Sequence, residues 1–409
     1  MKYVIIGNSA AGIGAVEGIR QVDRTGEITI ITNEPHHTYS RPLISYLLLG
    51  KVTEEKMKYR SDSFYSDNDS TLLRNTTVTK IDDETKRVVL ADGGSIPFDR
   101  LLVASGASAF IPAYDGLDAV EHKHTFMSLD DAQRLDKVLA QDKRVLIVGT
   151  GLIGLKCAEG ILERVSHITV IGRGQQILSS ILDKDGAKMV QDHLEGKGIE
   201  FRLSSAVKRF EQNAAILESG GVINFDILIL ATGARPNTGL LNGIAEIVDG
   251  IVINEKSETT ASNIYAAGDC TQTLDVSSGQ NKIMALLPNA YLQGECAGIN
   301  MAGSEKTFDQ AIPMNAIGFF GLHIITAGNY TGDAYAENES GEYKRLFYSN
   351  NKLNGYILIG NVAKAGIYTN LVRECTPLDS IDFALVCKEP GLMAFTKEDR
   401  QAKLRGKIE

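Results

Sequence analysis

Cysteine is scarce in this chain, and its few copies stand apart. The five, Cys157, Cys270, Cys296, Cys375 and Cys387, form no C-x-x-C and no other close pair, so neither a metal site nor a local redox dithiol is indicated. Few, unpaired cysteines fit a reducing cytoplasm. Long apolar runs are missing too. None reaches spanning length without glycines or charges, and no signal peptide precedes the first strand at residue 3. A cytoplasmic protein with no membrane partner is therefore expected. A basic excess is also absent: the formal net charge of −9 argues against nucleic acid or an anionic membrane as the main partner. What remains is a chain of 409 residues, 43% apolar, enough for the cores of two or three domains.

The informative stretch lies at the N-terminus. Lys2-Tyr3-Val4-Ile5-Ile6 reads as a short buried strand and Gly7-Asn8-Ser9-Ala10-Ala11-Gly12 as a tight turn of small residues, with a helix expected from Gly12-Ile13 to Val22. That order is the βα start of a dinucleotide-binding unit, in which backbone N–H groups and a helix N-terminus receive a pyrophosphate. Ser9 stands where G-x-G-x-x-G has its middle glycine, which weakens the motif taken alone. Glu34 strengthens it by closing the expected second strand, 28–34, where an acidic side chain accepts from both ribose hydroxyls. Beyond it, Tyr39-Ser40-Arg41-Pro42 opens a short helix with Ser40 as cap, Pro42 in the first turn and Gly50 at the end. Leu43, Leu47 and Leu48 read as buried connecting residues, whereas Arg41 would sit near the helix start that receives the phosphates.

The pattern then repeats. Gly149-Thr150-Gly151-Leu152-Ile153-Gly154 has all three glycines and follows the strand-like run 145–148, with a partner strand at 167–171. Alternating strands over 77–107 pass through Ile96-Pro97-Phe98-Asp99 to Ala104-Ser105-Gly106-Ala107, and those over 207–234 pass through Ile223-Asn224-Phe225-Asp226 to Ala231-Thr232-Gly233-Ala234. The first copy is longer, largely by the 39–50 segment. Two dinucleotide-binding units in one chain mean two nucleotide ligands. Later, Gly268-Asp269 ends a short apolar strand, and Leu287-Pro288-Asn289-Ala290 opens a helix expected to run to about residue 302. Gly268 permits close backbone approach and Asp269 can accept from a polyol hydroxyl; a strand-end turn with a solvated carboxylate is the plainer reading of that segment alone. Strand-like runs at 316–320, 343–348 and 353–359 and a helix at 363–373 indicate a small α+β domain without a fingerprint, and 397–409 read as a solvated tail or helix.

On the two fingerprints, the two Ala-(Ser/Thr)-Gly-Ala strand ends, Tyr39-x-Arg41-Pro42 and Gly268-Asp269, the chain resembles the pyridine nucleotide-disulfide oxidoreductase superfamily. The similarity is greatest to the NADH:rubredoxin and ferredoxin reductases and to the small reductase module of assimilatory nitrite reductases. It covers residues 1 to about 306 clearly and the rest more loosely. The resemblance implies an α/β fold with two Rossmann-like domains and a small α+β C-terminal domain. Residues 1–112 with 245–306 would bind FAD, 113–244 would bind NAD(P), and 307–409 would form the third domain. It implies FAD contacts from Gly7, Ser9, Ala10 and Gly12 at the pyrophosphate, Glu34 at the adenosine ribose and Arg41 near the phosphates. Val78 would meet the adenine through its backbone, Ala104, Ser105 and Gly106 the dinucleotide, and Gly268-Asp269 the ribityl chain. The helix opening at Asn289-Ala290 would face the flavin pyrimidine, where a helix N-terminus stabilises negative charge on the reduced ring. NADPH or NADH would lie on Gly149, Gly151 and Gly154, with Gly233 at the matching strand end.

Several positions depart from that family. The early helix carries a reactive cysteine or cysteine pair in the disulfide-reductase and peroxidase branches, but 44–50 here has none, so thiol chemistry is not expected. Cys270, beside Asp269, reads as a small buried thiol. A lysine frequent near Tyr46 is absent, the glutamate usual near the nicotinamide is Lys156 while Glu159 is kept, and an aromatic gate is replaced by Leu152. Gly172 stands for the acidic ribose ligand of the second unit and is followed by Arg173, which favours a 2′-phosphate and hence NADPH; a solvated loop arginine is the alternative. The resemblance implies hydride transfer from NAD(P)H to flavin and electrons passed on to a small redox protein such as rubredoxin or ferredoxin. The alternatives are an electron-relay subunit without its own NAD(P)H turnover and an NAD(P)H oxidase. Oligomers are possible, no metal is expected, and no acid–base catalytic residue is identified.

Overall fold

The computed structural model describes residues 1–339, 341–398, 400 and 401, so that 402–409 of the expected tail lie outside the described residues. The chain divides into two compact units: Met1–Ile177 with Glu195–Thr273 and Asn281–Asp309, and Leu178–Leu194 with Leu274–Gln280 and Gln310–Glu409.

The first unit holds two parallel sheets of one design. In one, the strands run in the order Ile264–Ala266, Arg100–Val103, Lys2–Ile6, Glu27–Ile31, Ser70–Leu73; in the other, Ile199–Arg202, His167–Ile171, Arg144–Val148, Ile227–Leu230, Lys123–His124. Every neighbouring pair is parallel. Parallel strands must be covered on both faces, and in both Lys2–Ile6 and Arg144–Val148 every residue after the first is buried. In each sheet the strand order reverses beside the strand that precedes the glycine turn, the switch point at which such folds open a crevice for ligands. Each sheet is accompanied by a three-stranded antiparallel one, Val78–Asp82, Arg87–Leu90, Ser95–Pro97 and Val207–Glu211, Ala214–Leu217, Val222–Asn224. The internal repeat is thus structural, and the ends of the two copies pair directly, Ala107–Ala109 antiparallel to Ala234–Pro236.

Two glycine pairs bring the first fingerprint helix, Ala10–Val22, against the late helix Leu287–Met301. A Cβ on Gly14 or Gly18 would lie 2.3 Å from the Tyr291 or Glu295 carbonyl oxygen, and one on Gly294 or Gly298 would lie 2.0 or 2.3 Å from that of Ala11 or Ala15. Each helix therefore sets its carbonyls into notches of the other.

The structure moves several expected boundaries. The first helix begins at Ala10, not Gly12. The second strand stops at Ile31, which leaves Glu34 in the following loop. Arg41–Leu43 is a 3-10 turn leading into Ile44–Leu48, and Ser40 makes no cap hydrogen bond. Leu48 is buried, while Leu43 and Leu47 are only half-buried. In the second unit the three expected strands are part of a five-stranded antiparallel sheet, ordered Met314–Phe319, Leu322–Gly328, Lys352–Ile359, Glu342–Ser349, Asp333–Glu339. The helix Ala365–Arg373 packs on it through Tyr368, Leu371 and Val372.

Candidate functional site: two dinucleotide cradles

Both glycine turns are locked by the same steric device. Gly7 has φ +117°, and a Cβ there would meet the Ala104 carbonyl oxygen at 2.1 Å; Gly149 has φ +126° and would meet that of Ala231 at 2.1 Å. Gly12 and Gly154 press on the carbonyls of Gly7 and Gly149, where a Cβ would stand at 2.0 and 2.6 Å. Only glycine fits these four places. The middle position differs: Ser9 (φ −106°, ψ −165°) and Gly151 (φ −84°, ψ −179°) are extended backbone that any residue adopts, and space around Gly151 is open. Serine therefore replaces glycine at that position without strain. Neither residue caps its helix with a side chain, so first-turn N–H groups, Ala10 among them, face outward with the positive end of the helix dipole. This fits a pyrophosphate.

The acidic and basic residues expected at opposite parts of one dinucleotide are joined. Glu34 accepts from the Tyr39 hydroxyl at 2.9 Å and pairs with Arg41. Arg41 also donates to the Met127 carbonyl at 3.3 Å, and the Leu129 N–H donates to the Tyr39 hydroxyl at 3.0 Å. Burial works against the Arg41 charge, but Tyr39, Glu34 and Asp269 together hold its pKa above the ordinary value. Asp269 shows the converse: burial pushes its carboxyl up and Arg41 draws it back. The guanidinium thus feels Glu34 and Asp269 at once. Glu34, Arg41 and Ser9 line one cavity with Asn8, Thr32, His36, His37 and Tyr39. Of this second group, Asn8 and Tyr39 were named only as motif positions, and Thr32, His36 and His37 were not singled out.

The other residues expected to line the first cradle stand beside supporting residues that were not foreseen. Gly268, φ +84°, lies with its missing Cβ 3.2 Å from that of Ala11, and its N–H is held by the buried Gln293 Oε1 at 2.8 Å. Asn237 fixes the first strand end: it accepts from Ser105 Oγ at 2.7 Å, donates through Nδ2 to the Ser105 carbonyl at 2.9 Å and through its N–H to that of Gly106 at 2.9 Å. Asn237 follows Gly233-Ala234-Arg235-Pro236 directly, so its place just past the second strand end was the signal available. Val78 opens the antiparallel sheet opposite Leu90, at a bulge. The late helix has no side-chain cap; Asn289 is buried, and the Ala290 N–H bonds the Leu286 carbonyl at 2.9 Å.

In the second cradle, a Cβ on Gly172 would lie 2.6 Å from Thr150 Cγ2, so a larger residue there would have to shift the Thr150 side chain. Arg173 follows, exposed. Lys156 pairs with Glu159, itself 4% exposed, and lies 4.6 Å from the centre of the Tyr46 ring. The Cys270 thiol is fully buried and directed at the Val103 and Ala267 carbonyls (3.5 and 3.4 Å), and burial pushes its pKa up. A protonated, enclosed thiol is a poor nucleophile. Among the described residues no group of His, Cys, Asp and Glu could hold a metal ion, and no helix is long and apolar enough to cross a membrane.

Comparison with known proteins agrees with this architecture. A family profile described as pyridine nucleotide-disulphide oxidoreductase matches residues 1–294, and one described as rubredoxin NAD+ reductase C-terminal domain matches 313–376. The chain is 32% identical over 396 residues to NADH-dependent phenylglyoxylate dehydrogenase subunit epsilon of Aromatoleum evansii, covering 93% of this chain and 94% of that one. It is 26% identical over 386 residues to NADH-rubredoxin oxidoreductase of Clostridium acetobutylicum, covering 93% and 96%. Its fold is similar to that in the covalent putidaredoxin reductase–putidaredoxin complex, with a TM-score of 0.88 at 22% identity over 99% of each chain.

Proposed function

The chain belongs to the pyridine nucleotide-disulphide oxidoreductase family, and from that membership we propose that it is an FAD-dependent NAD(P)H:acceptor oxidoreductase working without a thiol relay. The observation that carries this reading is the pair of cradles at the sheets' switch points, in each of which one glycine abuts a strand-end carbonyl and a second abuts the first glycine's carbonyl. FAD would supply the hydride-accepting ring. The chain's residues do the binding and orientation: first-turn N–H groups and Arg41 take the pyrophosphate, Glu34 the adenosine ribose, and Asp269 a ribityl hydroxyl. The uncapped start of Leu287–Met301 offers positive potential to the flavin's pyrimidine end. Gly149, Gly151 and Gly154 take the pyridine nucleotide. Stacking of the two rings, rather than an acid–base side chain, would set the hydride distance. With no cysteine in 44–50 and Cys270 enclosed, electrons leave the flavin directly for an acceptor, which we assign to the small redox-protein class in the cytoplasm.

Gly172 and Arg173 support NADPH over NADH, because no acidic side chain stands there and an exposed guanidinium does. One observation favours a second reading: the relative from Aromatoleum evansii is named as a subunit, and it matches this chain nearly end to end. A relay role inside a larger complex accommodates the same FAD site. Purified protein should be yellow or take up one FAD on reconstitution; a colourless chain that binds none sinks both readings.

A further inference from the structure

Asn8 is the one amide side chain in the first fingerprint turn, between Gly7, which is locked against Ala104, and Ser9. Its oxygen is engaged. The Tyr65 hydroxyl accepts from the Thr38 N–H at 3.3 Å, so its own proton is left to give, and it donates to Asn8 Oδ1 at 2.8 Å. A side-chain amide has one acceptor edge and one donor edge, so this bond turns Nδ2 away from Tyr65. The tyrosine is itself held, with its ring edge-on to His37 and to the buried Phe64 at centroid distances of 5.0 and 5.3 Å. Nδ2 is in the opposite situation. Among the described residues nothing accepts from it, and it is not shut off from solvent. Asn8 is half-buried and lines the cavity with Ser9, Glu34 and Arg41, whereas Tyr65 stands outside that lining. The edge of the amide that Tyr65 leaves free is therefore the one on the cavity side. Two other donors of the cavity, Tyr39 and Arg41, already give protons to Glu34, which makes an unspent donor there the more useful to a ligand rich in oxygens.

The geometry points to Asn8 as a further binding residue for FAD: its Nδ2 donates to an oxygen of the cofactor's adenosine-phosphate half, and Tyr65 is the positioning residue that aims it. This rests on the FAD reading above, and the test separates the two. Release of FAD from the full-length holoprotein is followed by the rise in flavin fluorescence after dilution, for the unmodified protein, Asn8→Asp and Asn8→Ala. Asn8→Asp keeps an acceptor for Tyr65 and removes the donor; Asn8→Ala removes both and adds no charge. Both variants should release FAD about tenfold faster, the worth of one hydrogen bond. The absorbance spectrum of the flavin still bound should stay that of the unmodified protein, because the contact lies at the other end of the cofactor. Release from Asn8→Asp at the unmodified rate would reduce Asn8 to an anchor for Tyr65. Faster release from Asn8→Asp alone, with Asn8→Ala unchanged, would reduce the effect to charge repulsion. An altered flavin spectrum in either variant would show a disturbed turn instead of a lost contact. Each of these results overturns the assignment. If the unmodified protein holds no FAD, the FAD reading itself fails and Asn8 falls with it.

Discussion

Asp269 and its neighbour Cys270 separate cofactor binding from thiol chemistry. The Asp269 carboxyl is half-buried, pushed up by burial and drawn back by Arg41, and is set on a glycine that lets the backbone close on a ligand. A charge-assisted bond to a buried hydroxyl is worth about 1.5–3 kcal/mol, so Asp269→Ala should bind FAD roughly 10- to 100-fold more weakly. Cys270 points into the apolar core instead. Cys270→Ser should keep both flavin and turnover, measured as bound FAD and NAD(P)H oxidation with an artificial acceptor; a variant that keeps flavin but loses turnover reopens the thiol mechanism. Asp23 gives the acid limb of stability. It accepts from the Thr25 and Gly26 N–H groups and the Tyr3 hydroxyl, each at 2.9 Å, and those backbone donors first of all lower its pKa to about 2. A depressed carboxyl stabilises the fold above its unfolded value and loses that contribution as pH falls through the folded one. Asp23→Asn should therefore flatten the loss of stability between the ordinary aspartate value of 3.8 and about 2. Its cost at neutral pH should be below about 1 kcal/mol, since the group is well solvated. Chemical denaturation at stepped pH reads both.

At the level of elements, the crossing of Ala10–Val22 with Leu287–Met301 fixes the start of the late helix, the end proposed to face the flavin. The notched glycines leave no room for a methyl group, and Gly294→Ala would place a Cβ 2.0 Å from the Ala11 carbonyl oxygen. Alanine's better helix propensity is outweighed, because overpacking costs about 1–3 kcal/mol or more. The variant should melt earlier and release FAD more readily. Gly366→Ala, in an exposed helix turn with open space around the missing Cβ, should be neutral or stabilise by up to about 1 kcal/mol. Equal effects of the two substitutions would contradict the close-packing account. This crossing was not legible beforehand. Gly14-x-x-x-Gly18 and Gly294-x-x-x-Gly298 were both visible, but nothing in the sequence says that two helices hundreds of positions apart meet. The first fingerprint was legible because strand, turn and helix are contiguous, and steric rules restrict its glycines to one geometry.

For the whole molecule, the repeat carried most of what could be read. Matching strand ends at 104–107 and 231–234 mark two units in the sequence, and the short strands that begin there, Ala107–Ala109 and Ala234–Pro236, pair across the copies. What stayed hidden is of another kind. Glu34 and Arg41 were each identified, but not that they bond to each other. Gln293 and Asn237 act only through residues brought near by folding, and no local pattern marks such partners. The Gly172-Arg173 pair was seen as a change of charge, whereas its steric cause, the Thr150 side chain, needed the structure.

The central claim is that this chain takes hydride from a pyridine nucleotide into FAD and passes electrons on without a thiol. Anaerobic stopped-flow absorbance of the FAD-loaded protein tests it most directly, first against NADPH and NADH, then on mixing the reduced protein with oxidised rubredoxin or ferredoxin. The account predicts bleaching by both nucleotides, faster with NADPH, and return of the oxidised flavin spectrum on adding the acceptor, in Cys270→Ser as in the unmodified protein. A flavin that stays oxidised with either nucleotide would contradict it and leave the relay-subunit reading in its place.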